Sequence, residues 1–181
     1  MESIGMVETN SIGTGIDATD AMLKRADVEV VYSRSVCPGK YIVLVTGLVA
    51  DVEASVEAGI EQVGSTLVDK LVLPNVHSSI IPALKQVTPV LGLQALGVLE
   101  SFTAASIIFA SDIAAKAATV DMIEIRVAIA LGGKAFCTFT GDEASIQASV
   151  KAGADYLRSE GLLVSEIVIP GPHRDILPFL L

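Results

Sequence analysis

The sequence predicts an α/β chain of the α+β kind, built from two tandem copies of one β-α-β-β-α-β unit. Three observations carry this prediction. The first is an internal repeat, in which residues 3–84 line up with residues 95–180. Gly5, Glu8, Asp20, Lys24 and Ala26 meet Gly97, Glu100, Asp112, Lys116 and Ala118 at an offset of 92. Gly39, Lys40 and Gly47 meet Gly133, Lys134 and Gly141 at an offset of 94. Pro74, His77 and Pro82 meet Pro170, His173 and Pro178 at an offset of 96. Such a period is too long for a solenoid unit, so each copy is read as a small domain. The second observation is that alternating apolar runs interleave with helical stripes in the same order in both copies. The third is composition: 51% hydrophobic residues but only 4% aromatic and no Trp, which suits closely packed Ala, Val, Ile and Leu layers.

In the first copy, Ile4–Glu8 reads as a short strand. Residues 11–26 read as a helix, with Ile12, Ile16, Thr19 and Leu23 on one face. Residues 28–33 alternate as a strand, and 35–39 form a turn marked by Pro38-Gly39. Residues 41–46 are apolar and β-branched enough for a central strand. Val49, Val52, Val56, Ile60 and Val63 form a second helical stripe. Residues 67–73 make the last strand, and a short segment at 79–84 closes the copy. The second copy repeats this order. Ala58-Gly59 and Ala152-Gly153 place small residues where a helix lies close to a neighbour. Residues 88–94 (TPVLGLQ) join domains of 1–91 and 92–181 and are too short and apolar for a floppy tether.

The bulk properties exclude several functions. A net charge of −9 argues against nucleic acid, which demands clustered Lys and Arg. Mean hydropathy is high at +0.62, yet Gln94, Glu100, Asp112 and Lys116 interrupt the richest region, so no apolar run reaches the roughly 18 residues of a membrane span. The extra apolar surface is expected between subunits. MESIGMVET has no basic region of the kind that opens a signal peptide. Two cysteines, Cys37 and Cys137, make no disulfide framework and fit a reducing compartment. No nucleophile elbow, phosphate loop or HExxH motif occurs, so no enzyme active site is expected.

The opening strands IGMVET and LGVLES, the helix ends DAMLKRADV and DIAAKAATV, and the Gly-Lys after the central turn resemble bacterial microcompartment shell proteins. Two copies in one chain resemble the tandem-domain class, and strand 1 comes first, so neither copy looks circularly permuted. SRSVCPGKY is similar to the T-type tandem shell proteins of propanediol-utilisation compartments. The resemblance implies a homotrimer that mimics a hexamer and packs with neighbouring shell proteins into a facet within the cytoplasm. It implies pore-lining turns at Ser35, Val36, Cys37, Pro38 and Gly39, and at Ile129, Ala130, Leu131, Gly132 and Gly133. It also implies tile-edge lysines at Lys24 and Lys116, although a cation at a helix C-terminus is equally at home as a solvated end.

The two turns differ chemically, because Cys37 stands where the second copy has Leu131. A closed trimer repeats Cys37 three times about its axis, and three thiolates suit three corners of a [4Fe–4S] cubane. The propanediol-type resemblance implies such a cluster, one per trimer, with encapsulated redox enzymes as its partners. An inert thiol, a zinc site or a redox-sensitive cysteine are the alternatives at this position. Cys137 aligns with Val43 and is expected in the core. His77 and His173, and Glu8 and Glu100, are expected in structural polar contacts. The expected function is a shell tile with a cluster in its pore for electron transfer or cluster delivery. The alternatives are a tile whose open pore conducts small metabolites, and a soluble oligomeric metabolite-binding regulator.

Overall fold

The computed structural model describes residues 2–89, 92–127 and 131–180. The chain divides into two compact units, residues 1–76 and 77–181. The first unit holds β1 (Ser3–Thr9), α1 (Ile12–Arg25), β2 (Val28–Val36), β3 (Lys40–Gly47), α2 (Val49–Val63) and β4 (Leu67–Leu73). Its sheet is antiparallel throughout, in the order β2-β3-β1-β4. The second unit begins with the short helix α3 (Ile80–Leu84). It continues with β5 (Ala95–Ser101), α4 (Ala104–Ala117), β6 (Asp121–Val127), β7 (Ala135–Gly141), α5 (Glu143–Ser159) and β8 (Leu163–Ile169). Its sheet order, β6-β7-β5-β8, repeats that of the first. Each copy therefore has the β-α-β-β-α-β order that the sequence predicts, unpermuted.

Local chemistry explains the helix starts. The Ser11 hydroxyl accepts the Thr14 amide at 3.4 Å, and the Thr103 hydroxyl accepts the Ser106 amide at 3.2 Å. The Asp142 carboxylate does the same for Ser145 at 3.0 Å. Each satisfies an amide that the first helical turn leaves without an internal partner. In the first unit the helices pack together over the sheet, with Val7, Val43 and Val45 below and Ala18, Met22, Val52, Val56 and Val63 above. The close approach depends on glycine. A Cβ on Gly59 would lie 2.7 Å from the Met22 sulfur, and one on Gly153 would lie 2.5 Å from Leu99 and 3.0 Å from the Ala110 carbonyl oxygen.

One expectation needs correction, and one apolar stripe faces outward. The stripe Ile12, Ile16 and Leu23 is not the buried face of α1: all three are exposed, and Gly15, Ala18 and Met22 are buried instead. Gly15 takes its place on the inner face because the helix there lies against the Tyr41 ring, which a Cβ on Gly15 would approach to 2.5 Å. The segment after β4 does not close the first unit either. α3 packs on β6 and α4 of the second, with Ile80, Ala83 and Leu84 buried. The second stripe holds as predicted, with Val52, Val56 and Val63 buried on α2.

Candidate pore turn and tile edge

β2 and β3 remain paired as far as Val36↔Lys40, so Ser35 and Val36 are strand residues and only Cys37, Pro38 and Gly39 make the turn. The Val36 carbonyl accepts the Gly39 amide at 3.0 Å. Gly39 has φ +89°, a conformation that favours glycine. The Cys37–Pro38 peptide is cis. Val36 is buried, Cys37 is half-buried, and Ser35, Pro38 and Gly39 are exposed. In the second copy, Ile129 and Ala130 lie outside the described residues. Leu131, Gly132 and Gly133 also form a turn, but by a different route: the Leu131 carbonyl accepts the Lys134 amide at 3.2 Å, one residue later than in the first copy, and Gly132 (φ +63°) as well as Gly133 (φ +89°) takes a conformation that favours glycine.

Each turn is rooted by an ion pair whose two members the repeat preserves. Lys40 Nζ lies 2.8 Å from Glu8 Oε1, whose side chain is almost wholly buried. Lys134 pairs with Glu100 at the equivalent place, though the Glu100 side chain is only partly buried. A buried carboxylate is costly without a cation, so Glu8 fixes Lys40 beside the first turn; the more exposed Glu100–Lys134 pair constrains its turn less. The sequence marked all four residues as repeated but did not join them. What joins them is the register Glu8↔Ile42 and Thr9↔Tyr41, which no single-strand pattern reveals. Two further contacts beside the first turn were also missed. The Arg34 guanidinium stacks 4.7 Å above the Tyr32 ring, and the Ser33 hydroxyl bridges the Tyr41 phenol at 2.9 Å and Thr19 at 2.8 Å.

The two cysteines have separate environments. Cys137 is fully buried in β7, where its partner across the sheet is Leu99. Burial pushes its thiol up to about 12, against the opposing hydrogen bonds from Ser111 and the Leu99 backbone. A maleimide added to native protein at neutral pH is therefore expected to label Cys37 and spare Cys137 until the chain is unfolded. Equal labelling of both thiols in the native state would contradict this placement. Among the described residues, no group of three or more His, Cys, Asp or Glu side chains stands together within one chain. A single chain thus offers one accessible thiol, which fits a metal cluster only as one part of a donor set shared between copies.

Lys24 and Lys116 end their helices, as expected. Lys24 Nζ is 2.5 Å from Asp20 Oδ2, and Lys116 Nζ is 2.5 Å from Asp112 Oδ2. The hydrogen bond to Asp20 holds the Lys24 ammonium above its usual range. His77 and His173 make local turn contacts: the Ser79 amide donates to His77 Nδ1 at 3.3 Å, and the Asp175 amide donates to His173 Nδ1 at 3.3 Å.

This arrangement defines a duplicated α+β protein with one glycine turn and one terminal helix lysine per copy, and no helix long and apolar enough to cross a membrane among the described residues. Residues 3–76 and 95–172 both match the BMC domain family. Over 175 residues the chain is 37% identical to the bacterial microcompartment shell protein PduT of Citrobacter freundii, covering 97% of this chain and 95% of that protein. It is 40% identical over 81 residues to the major carboxysome shell protein CsoS1A of Halothiobacillus neapolitanus, covering 43% of this chain and 83% of that one. The crystal structure of a microcompartment protein from Desulfitobacterium hafniense superposes with a TM-score of 0.96 at 48% identity, covering 98% of this chain and 99% of that one. A fused permuted hexameric shell protein, MSM0275 of the RMM microcompartment, shares the fold at a TM-score of 0.62 and 23% identity, covering 87% of this chain and 84% of that one. The chain belongs to the BMC family of bacterial microcompartment shell proteins, as a tandem-domain member. It is a structural shell protein and not an enzyme.

Proposed function

We propose that three copies close into a pseudohexameric shell tile, and that their Cys37 thiolates together hold a [4Fe–4S] cluster at the three-fold axis. The observation that carries this reading is the contrast between the two cysteines and between the two turns. Cys37 is accessible on a glycine-closed hairpin, at a position where the second copy has Leu131, while Cys137 is sealed in the sheet. A three-fold axis multiplies one thiolate into three, and thiolate is the ligand type that such clusters take. When bound, the cluster would supply one-electron transfer across the shell, or be passed to redox enzymes inside. The chain's own contribution is positional: Gly39 permits the turn, and the Lys40–Glu8 pair anchors its root. The similarity to the PduT shell protein over nearly the whole chain supports the tandem shell-protein part of the reading.

The test is iron and acid-labile sulfide in anaerobically reconstituted protein. The expected content is about four of each per three chains. Protein that takes up no iron would leave a tile with an open, cysteine-lined pore for small metabolites. The edge role of the lysines has its own test. Lys24→Ala with Lys116→Ala is expected to leave the trimer mass unchanged and to abolish ordered two-dimensional sheets in electron micrographs. Long apolar stems with charged heads suit them to lie across a neighbouring tile. Normal sheets from the double variant would remove that role.

A further inference from the structure

We propose that residues 173–180 dock on the first unit of a second copy of this chain, against the outward face of α1 and with Asp20 as the anchor. This rests on the trimeric reading above and names the contact that would join the copies. The template is inside the chain itself. Residues 77–84, which follow the first copy's last strand, lie on the second unit: α3 packs on β6 and α4, and Ile80 and Ala83 are fully buried. The His77 amide donates to Asp112 Oδ1 at 2.7 Å, while Lys116 holds the other carboxylate oxygen.

Both halves of that contact recur elsewhere in the sequence, each exposed where its equivalent is buried. The docking segment recurs as residues 173–180, with His173, Ile176, Pro178 and Leu180 matching His77, Ile80, Pro82 and Leu84 at the offset of 96. Its first turn has the same geometry, since Ile176 donates to the His173 carbonyl at 3.0 Å as Ile80 does to that of His77 at 3.0 Å. Yet no residue of 174–179 is buried, and Phe179 is 85% exposed. The receiving site recurs on α1. Asp20 and Lys24 repeat the Asp112–Lys116 pair, but the Asp20 side chain is 59% exposed where that of Asp112 is 4%. Ile16 is 56% exposed, whereas its counterpart Ile108 is fully buried. One carboxylate oxygen of Asp20 is taken by Lys24, which leaves the other for the amide of an incoming His173, as Asp112 shows.

An unused segment and an unused site on one chain, complementary to each other, make a head-to-tail contact. Such contacts form rings when the rotation closes. Docking does not remove the lysine from solvent: Lys116 keeps 44% of its side-chain surface beside the docked segment, so Lys24 remains available at a tile edge. The exposed apolar stripe of α1 thus becomes a surface for another copy's Ile176, Leu177 and Leu180.

Two measurements test this. Ile176→Asp should fold normally, because residue 176 is not buried in the chain. It is expected to raise the concentration for half-assembly by roughly one to two orders of magnitude in sedimentation velocity. Asp20→Cys on one tagged chain and His173→Cys on another should give a disulfide between the two chains on mild oxidation, identified by its tryptic fragment. Wild-type protein that is monomeric would overturn both the trimer and the docking. An oligomeric wild type whose assembly Ile176→Asp leaves unchanged would overturn the docking alone. So would a 20–173 crosslink formed within a single chain carrying both substitutions at high dilution.

Discussion

Phe139→Ala is expected to cost the second unit about 3–5 kcal/mol of unfolding free energy. The ring is fully buried, and it fills the space that a side chain at residue 97 would otherwise take: a Cβ on Gly97 would lie 2.5 Å from the ring edge. In the first unit the space beside Gly5 is shared by three smaller side chains: a Cβ there would lie 2.6 Å from Val56, 2.7 Å from Val52 and 3.2 Å from Val45. Val45→Ala should therefore cost the first unit clearly less. Gly97→Ala alone should also destabilise, because the added methyl would lie 2.5 Å from the buried Phe139 ring and 2.9 Å from Val150. Combined with Phe139→Ala, the methyl enters the cavity, so the double variant should be more stable than the sum of the singles predicts. Urea unfolding with hydrogen exchange reporting on each sheet separately checks this. A cost below about 1 kcal/mol for Phe139→Ala, or strict additivity, would contradict the packing described here.

Cys37→Ser is expected to abolish iron retention completely while leaving the number of chains per particle and the circular dichroism unchanged. A hydroxyl is a far poorer ligand for iron–sulfur chemistry than a thiolate, and the half-exposed turn loses no packing. Cys137→Ser should behave in the opposite way. It keeps the iron but lowers stability, since it puts a hydroxyl in a fully buried site. Electron paramagnetic resonance of the reduced proteins distinguishes the pair. A cluster signal that survives Cys37→Ser would move the site elsewhere in the molecule.

Much of this was legible in the sequence because the chain states it twice. The strand at residues 67–73 and the helix at 49–63 fall where alternation and the Val stripe place them, since one period dominates each segment. The β2 strand runs further than its alternation shows, because Ser35 and Val36 are held by Tyr41 and Lys40 across the hairpin. On α1 the periodicity was real but pointed outward. The large apolar side chains Ile12, Ile16 and Leu23 dominate the pattern, while the true inner face is Gly15, Ala18 and Met22, chosen for close approach rather than bulk. A stripe reports that apolar side chains share a face, without saying whether that face is the one buried in the unit. The segment at 79–84 shows the same limit in another form. The repeat assigns it to the first copy by sequence, but its contacts belong to the second unit. The lysines after each turn and the repeated glutamates were visible separately. Only the sheet register brings Lys40 to Glu8 and Lys134 to Glu100.

The most direct test of the central claim, a three-fold tile built round Cys37, is native mass spectrometry of the anaerobically reconstituted protein. The account predicts a species of three chains carrying the added mass of one [4Fe–4S] cluster, with the added mass missing from Cys37→Ser and the three-chain species intact. A principal species of one, two or four chains would contradict it, as would cluster mass on a single isolated chain.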